Sequence, residues 1–168
     1  KELQKWTAPH NPVEVSIDTK IINLLKKLKK KNFLFFIFSN QPDYALDLID
    51  LKDLNSVHHK FNKILSLNSI KICEYFYSYK HPQSIKKRYG PPCFDRKPNP
   101  YFLKKAKKKY NIDLYNSWMI GDRQTDIECG KRAGTKTIGI INNRYEFNKK
   151  KNKPDFIFKS INKIIDVI

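Results

Sequence analysis

The sequence predicts an α/β domain with a mostly parallel sheet, and three features lead to this prediction. Residues 33–38 form a run of six apolar side chains, which is typical of a strand covered on both faces. Residues 118–120 and 137–141 are shorter runs of the same kind. Amphipathic segments lie between these runs, and strands that alternate with helices favour a parallel sheet.

The N-terminal half begins with a predicted helix over residues 18–31, for which Asp18 or Thr19 is the N-cap. Its apolar stripe consists of Ile21, Leu24, Leu25 and Leu28. The strand over 33–38 follows and ends at Ser39. A helical stretch from about Tyr44 into the sixties comes next, and then a strand-like run over 70–77.

The C-terminal half begins with an irregular segment over residues 78–98 that contains four prolines. A helix is expected over 99–110, with Pro100 in its first turn, where a missing N–H costs nothing. The remaining predicted elements are a strand over 118–120, a helix over 125–133 that ends near Gly134, a strand over 137–141, a strand over 155–158 and a helix over 160–168 with Ser160 as its cap.

The length and composition favour an ordinary cytoplasmic domain. A chain of 168 residues suits a single core, so one domain over residues 1–168 is expected. There is no apolar run long enough to span a membrane and no signal-peptide pattern at the N-terminus, so no membrane partner is expected. The sequence leaves the oligomeric state open.

The net charge of +18 raises the question of nucleic-acid binding. Only five of the 34 basic residues are arginines, and the lysine runs at 26–31 and 104–109 fall on the solvent faces of predicted helices. A solvated surface is therefore the favoured interpretation, and nucleic acid is an unlikely partner. The positive field can still steer an anionic small substrate.

Polar residues that suit phosphate chemistry stand at the predicted strand ends and in one loop. Ser39, with the backbone N–H groups of Asn40 and Gln41, can donate hydrogen bonds to phosphate oxygens. In the loop before a helix, Lys97 can place a charge on the phosphate, and Arg96 offers a planar fork for a second phosphate or a sugar. Because parallel strands bind ligands at their C-terminal edge, these residues are expected to converge.

Two carboxylates follow the predicted strand over 118–120. Asp122 is a hard oxygen ligand suited to Mg²⁺, and Asp126, one helical turn later, can support the metal or orient Lys97. Each residue alone is more often a helix cap, a turn residue or a surface residue. The ordered set is what points to phosphoryl transfer, which needs neutralisation of charge around the transferred group.

The ordered set resembles the haloacid dehalogenase superfamily, and within it the D,D-heptose 1,7-bisphosphate and histidinol-phosphate phosphatase group. The resemblance starts at about Trp6, with Pro9 and Glu14. Its motifs are Phe38-Ser39-Asn40-Gln41-Pro42-Asp43, then Arg96-Lys97-Pro98, then Gly121-Asp122-Arg123 with Asp126, Gly130 and Ala133-Gly134.

The resemblance implies a Rossmann-like three-layer α/β/α fold and hydrolysis of a sugar phosphate through an aspartyl-phosphate with Mg²⁺. It assigns Ser39, Lys97 and Asp126 to catalysis and Asp122 to the metal. Substrate contacts are implied for Ser39, Asn40, Gln41, Arg96, Lys97 and Arg123. The implied substrate is a small phosphorylated sugar, foremost D-glycero-D-manno-heptose 1,7-bisphosphate.

The first motif of this family, an Asp-x-Asp-Gly that supplies nucleophile and general acid, does not occur in the sequence. By spacing it would fall at or before Lys1. Asp18 is a poor substitute because Lys20 takes the place of the acid and no glycine follows, so a helix cap is the better interpretation. We therefore expect an N-terminally truncated, inactive chain that lacks the central strand, with unpaired neighbouring edges, poor folding or a gap filled by another segment.

Two further departures concern the loops. Members of the group often bind zinc before the third motif, but the matching positions are Ser78, Lys80, Cys93 and Asp95, and a single thiol cannot form a closed site, so no zinc is expected. Tyr79, Tyr89 and the prolines are expected to hold that loop instead. The Arg-Gly that usually follows the second motif is replaced by Leu46-Asp47.

Three hypotheses remain open at this point. The first is a phosphatase domain whose complete form cleaves a sugar phosphate. The second is a non-catalytic remnant or module that keeps a phosphate-binding site. The third is a basic protein associated with nucleic acid.

Overall fold

The computed structural model describes residues 8–142, 147 and 152–168. Trp6, one of the residues that carry the resemblance, lies outside this range. The strands are β1 (Phe36–Asn40), β2 (Glu74–Ser78), β3 (Trp118–Gly121), β4 (Lys136–Ile140) and β5 (Phe156–Phe158). The α-helices are α1 (Thr19–Lys30), α2 (Leu51–Leu67), α3 (Tyr101–Tyr110) and α4 (Gln124–Ala133). Short 3-10 helices cover Pro12–Glu14, Pro42–Tyr44, Lys87–Tyr89 and Ile161–Asp166.

The strands form two parallel sheets rather than one. β1 pairs with β2, while β3 pairs with β4 and β4 with β5. Within the described residues, one edge of β1 and one edge of β3 therefore lack a strand partner. Unpaired edges of this kind were predicted for the neighbours of a missing central strand.

The two sheets lie in one layer, because the same helices cover both of them. On one face, Leu24 and Leu28 of α1 pack in a cluster with Phe35, which precedes β1, and Ile120 of β3. On the other face, a second cluster joins Phe38 of β1 and Met119 of β3 to side chains of α3 and α4. A helical layer on each side of a parallel strand layer is the expected three-layer α/β/α arrangement.

The hydrogen bonds of β1 show which backbone groups its unpaired edge presents. Phe35 O accepts from Cys73 N, and Gln41 N donates to Ser78 O, so the odd-numbered residues pair with β2. In a parallel ladder the alternate residues point to the opposite side. The backbone groups of Phe36, Phe38 and Asn40 therefore face away from β2.

The predicted helix ends were confirmed where a cap determines them. The Asp18 side chain accepts a hydrogen bond from Lys20 N at 2.7 Å, so Asp18 is a helix cap as expected. Helix α4 ends at Gly134, whose φ of +83° is the left-handed conformation that favours glycine. Pro100 is the N-cap residue of α3 rather than a residue of its first turn.

Several other predictions were wrong in detail. The first strand spans Phe36–Asn40 rather than 33–38, and its residues are only partly buried rather than covered on both faces. The helix expected from Tyr44 begins only at Leu51, after a short 3-10 turn. The expected C-terminal helix is a 3-10 helix over Ile161–Asp166, and Ser160 makes no side-chain cap.

The described residues include no helix that is long and apolar enough to cross a bilayer.

Candidate active site

The third-motif loop is attached directly to the end of β1. The side-chain amide of Asn40 donates to Lys97 O at 3.1 Å, and the Lys97 N–H donates back to Asn40 Oδ1 at 3.0 Å. This two-way contact joins positions 57 residues apart in the chain. It fixes the backbone of Lys97 at the C-terminal edge of the strand layer, as the sequence predicted.

The Lys97 side chain runs along the unpaired edge of β1. Its ammonium donates to Phe38 O at 2.7 Å and lies 2.6 Å from Asp126 Oδ1. Both side chains are largely buried, with 13% of Lys97 and 6% of Asp126 exposed. Lys97 therefore connects the first sheet to the turn that follows β3.

Asp126 is held from two sides at the start of α4. Its Oδ2 accepts from the backbone N–H of Arg123 at 3.0 Å, while Oδ1 forms the ion pair with Lys97 without the alignment of a directed hydrogen bond. A Cβ on Gly121 would lie 2.3 Å from Asp126 Cβ and 2.4 Å from Oδ2. The glycine before Asp122 thus leaves room for the Asp126 carboxylate.

Asp122 follows β3 directly and is partly buried. Its Oδ2 accepts a hydrogen bond from Asn142 Nδ2 at 2.7 Å. The sequence analysis missed Asn142. It follows the predicted strand over 137–141, just as Ser39 and Asp122 follow predicted strands, and this position was the signal that could have found it. A carboxylate held by a neutral amide suits Mg²⁺, which proteins often bind through one or two carboxylates together with waters and substrate phosphates.

Arg96 brings a second cation to the same loop. Its Nη1 donates to Lys80 O at 3.0 Å. Burial lowers the pKa of Arg96, and the nearby positive charge of Arg123 acts in the same direction. Two guanidinium groups that oppose each other's charge are a favourable environment for an anion.

Two predicted donors, Gln41 and Ser39, lie outside the set of contacts described above, and their roles stay predictions. The Gln41 N–H was expected to bind phosphate, but it donates to Ser78 O at 2.7 Å because the ladder with β2 extends one residue beyond the strand. Ser39 neighbours Asn40 in β1, so its side chain points to the opposite face of the strand. Among the described residues, the structure links Asn40, Lys97 and Asp126 by direct contacts but does not include Ser39 in that set.

The loop before Arg96 is held by polar contacts and aromatic rings. Ser78 Oγ donates to Asp95 Oδ1 at 2.9 Å, so two of the four positions matching the zinc site are hydrogen-bonded to each other. The rings of Tyr79 and Tyr89 meet edge to face at 6.4 Å, as expected. In the part of the chain that the structure describes, no three His, Cys, Asp or Glu side chains are grouped to hold a metal ion. The absence of zinc stays a prediction.

Known proteins that are similar to this chain include hydrolases and phosphatases. The HAD-hydrolase-like family model matches residues 94–164. A D-glycero-alpha-D-manno-heptose-1,7-bisphosphate 7-phosphatase from Photorhabdus laumondii is 29% identical over 125 residues, which cover 74% of this chain and 68% of the relative. The enzyme of the same name from Campylobacter jejuni is also 29% identical, over 87% of this chain and 77% of the relative.

Solved structures show the same fold. The crystal structure of D,D-heptose 1,7-bisphosphate phosphatase from B. bronchiseptica, complexed with magnesium and phosphate, superposes with a TM-score of 0.76. It is 18% identical in sequence, and the match covers 94% of this chain and 86% of that one. At 18% identity, this similarity shows a shared fold only.

Over residues 94–164 the chain is therefore similar to the HAD-hydrolase-like family, and it shares the fold of the solved phosphatase described above. The two relatives described above are heptose-1,7-bisphosphate phosphatases by name. Two further relatives of this kind match over only 58% and 64% of their own length. The chain thus spans about three fifths of those proteins.

Proposed function

We propose that this chain forms the phosphate- and magnesium-binding part of a sugar phosphatase, with D-glycero-D-manno-heptose 1,7-bisphosphate as its substrate. The observation that carries the proposal is the contact between Asn40, Lys97 and Asp126 next to Asp122. These residues come from three distant segments, and they bring a cation, a hydrogen-bond donor and a carboxylate held by an amide to one edge of the strand layer.

Each residue has a distinct role in this proposal. The Asn40 N–H faces the unpaired edge of β1 and donates to a phosphate oxygen. Lys97 supplies the charge that balances the transferred phosphoryl group, and Asp126 keeps its ammonium in place. Asp122 holds Mg²⁺, which when bound neutralises charge that develops on the phosphate.

The reaction also needs a nucleophilic carboxylate, and the sequence contains no Asp-x-Asp. We place this carboxylate at the C-terminal end of a strand that lies between β1 and β3. Such a strand would pair with both free edges and would end beside Lys97. Without it, the residues of this chain bind the substrate but do not cleave it.

Two observations favour a bisphosphate rather than a monophosphate as the substrate. The relatives named above act on heptose 1,7-bisphosphate by their names. In addition, Arg96 and Arg123 lie close enough to repel each other, and a second phosphate would relieve that repulsion.

Calorimetric titration of the 168-residue chain with heptose 1,7-bisphosphate and Mg²⁺ tests the proposal. We expect saturable binding that is weakened at least about tenfold by Lys97→Met and by Arg96→Ala, since lost hydrogen bonds to charged groups have that magnitude. Histidinol phosphate should bind less tightly and should be insensitive to Arg96→Ala. Equal affinity of wild type and both variants would contradict the proposal.

A second experiment addresses the nucleophile. Synthetic peptides that tile the part of the Campylobacter jejuni relative outside the match are added to the chain, and phosphate release is measured. One peptide is expected to restore turnover that depends on Lys97. If the chain alone releases phosphate at the rate of its relatives, the nucleophile is already present and the proposed strand is wrong. If phosphate binds but no peptide restores turnover, the chain is a phosphate-binding module.

A further inference from the structure

We propose that Asn142 is a positioning residue that fixes the carboxylate of Asp122 in the orientation needed to bind a divalent cation. The inference rests on the proposed function, because it assumes that Asp122 is the metal ligand. Asn142 lies outside every motif described above, so its role extends the proposed site by one residue.

The geometry comes from the register of two neighbouring strands. β3 ends at Gly121, which lies opposite Gly139 of β4, so Asp122 and Asn142 both emerge at the C-terminal edge. From just beyond the end of β4, the amide of Asn142 reaches the residue after β3 and donates to Asp122 Oδ2 at 2.7 Å. A short, partly buried contact of this kind restricts rotation of the carboxylate.

The bond leaves the carboxylate able to bind a metal. An ionised carboxylate has about four lone-pair positions on its two oxygens, and Asn142 occupies one of them. Among the described residues, no hydrogen bond is found to the second oxygen, Oδ1. Because the amide is neutral, it orients Asp122 without cancelling the negative charge that attracts a cation.

Asp126 shows the contrasting arrangement. That carboxylate lies four residues later and is paired with the Lys97 ammonium at 2.6 Å. A cation there already compensates its charge. The two aspartates therefore have different roles. Asp126 forms an ion pair with a lysine, while Asp122 is oriented by an amide and can bind a metal.

The test measures Mn²⁺ affinity by the electron paramagnetic resonance signal of the free ion, together with the melting temperature. Asn142→Leu removes the amide at similar size and is expected to weaken Mn²⁺ binding about tenfold, the lower end of what loss of a supporting residue costs. The matched control is Asn116→Leu. Asn116 Nδ2 also donates to an aspartate, Asp113 Oδ2, at 2.7 Å, but in an exposed turn before β3. This control should leave Mn²⁺ affinity unchanged.

Asp122→Asn separates failure of this inference from failure of the proposed function. If wild type does not bind Mn²⁺, or if Asp122→Asn binds it equally well, the metal site itself is wrong. If Asp122→Asn abolishes binding while Asn142→Leu binds as wild type does, only the role of Asn142 is wrong. A lower melting temperature with unchanged Mn²⁺ affinity would show a purely structural residue and would also overturn the inference.

A measurement on the wild-type chain covers the case in which Asn142→Leu does not fold. Mg²⁺ is titrated while the side-chain amide resonances of Asn142 and Asn116 are followed by NMR. The Asn142 resonances are expected to shift, and the Mg²⁺ dissociation constant fitted to them should equal the constant fitted to the other resonances that shift. The Asn116 resonances are expected to stay in place. An unmoved Asn142 amide at saturating Mg²⁺ contradicts the inference.

Discussion

Lys97 and Asp126 form a largely buried ion pair, with Nζ 2.6 Å from Oδ1, and the same ammonium donates to Phe38 O at 2.7 Å. The pair is therefore a connection between the two sheets as well as part of the candidate site. An ammonium satisfies one carbonyl on the edge of β1 that lacks a strand partner among the described residues. Stability and ligand binding are expected to depend on the same side chain.

Lys97→Met is expected to destabilise the chain by about 3 kcal/mol, because it leaves the Asp126 carboxylate buried without its cation. Urea unfolding measures the change. The double variant Lys97→Met with Asp126→Asn should recover part of the loss, since no uncompensated charge remains. Additive effects of the two substitutions would show that the ion pair contributes little to stability.

Gly121→Ala is expected to cost about 2 kcal/mol or more, because the added methyl group would overlap the Asp126 side chain. The control is Gly90→Ala, where a Cβ would lie 3.5 Å from the nearest atom, Lys87 O. That substitution should change the free energy of unfolding by less than about 0.5 kcal/mol. Equal effects at both glycines would contradict the close packing around Asp126.

Amide hydrogen exchange in β1 should alternate along the strand. The N–H groups of Ile37, Ser39 and Gln41 pair with β2 and should exchange slowly, whereas those of Phe36, Phe38 and Asn40 face the free edge and should exchange faster. NMR exchange spectra resolve these residues individually. Uniform protection along β1 would mean that another segment pairs with the edge.

Acid should destabilise the chain through His58. Burial lowers the pKa of His58 from 6.5, and the charge of His59 lowers it further. The unfolded state therefore takes up a proton more readily than the folded state, so stability falls as the pH decreases through about 6.5. His58→Phe should flatten this slope in urea unfolding at pH 5 to 8.

His58→Phe also removes the contact between His58 Nδ1 and the Tyr77 hydroxyl, 3.0 Å apart, so a loss of about 1 kcal/mol at high pH is expected. A variant with the same pH slope as the wild type would assign the acid sensitivity to other groups. Burial also lowers the pKa of His81, which acts in the same direction.

The sequence predicted the elements that local chemistry determines. Asp18 caps α1 and Gly134 ends α4 because a side-chain acceptor and a left-handed glycine act within one turn. The extent of β1 was misjudged because strand pairing, rather than hydrophobicity, determines where a strand ends. Strand pairing also explains why the phosphate-binding role predicted for the Gln41 N–H is not seen. This N–H donates to Ser78 O in one further hydrogen bond of the β1–β2 ladder.

The candidate site was predictable as a set of residues but not as a set of contacts. The family motifs identified Asn40, Lys97, Asp122 and Asp126, and the expected proximity of Lys97 and Asp126 is found. The mutual hydrogen bonds of Asn40 and Lys97 depend on a loop path that no local pattern encodes. Asn142 was missed because an asparagine after a strand is usually only a turn residue.

Titration of the isotope-labelled chain with heptose 1,7-bisphosphate and Mg²⁺, followed by backbone NMR, tests the central claim most directly. We expect the largest shifts at Asn40, Arg96, Lys97 and Asp122, with a common dissociation constant. Shifts spread over the lysine-rich face of α1, or no saturable shift at those four residues, would contradict it.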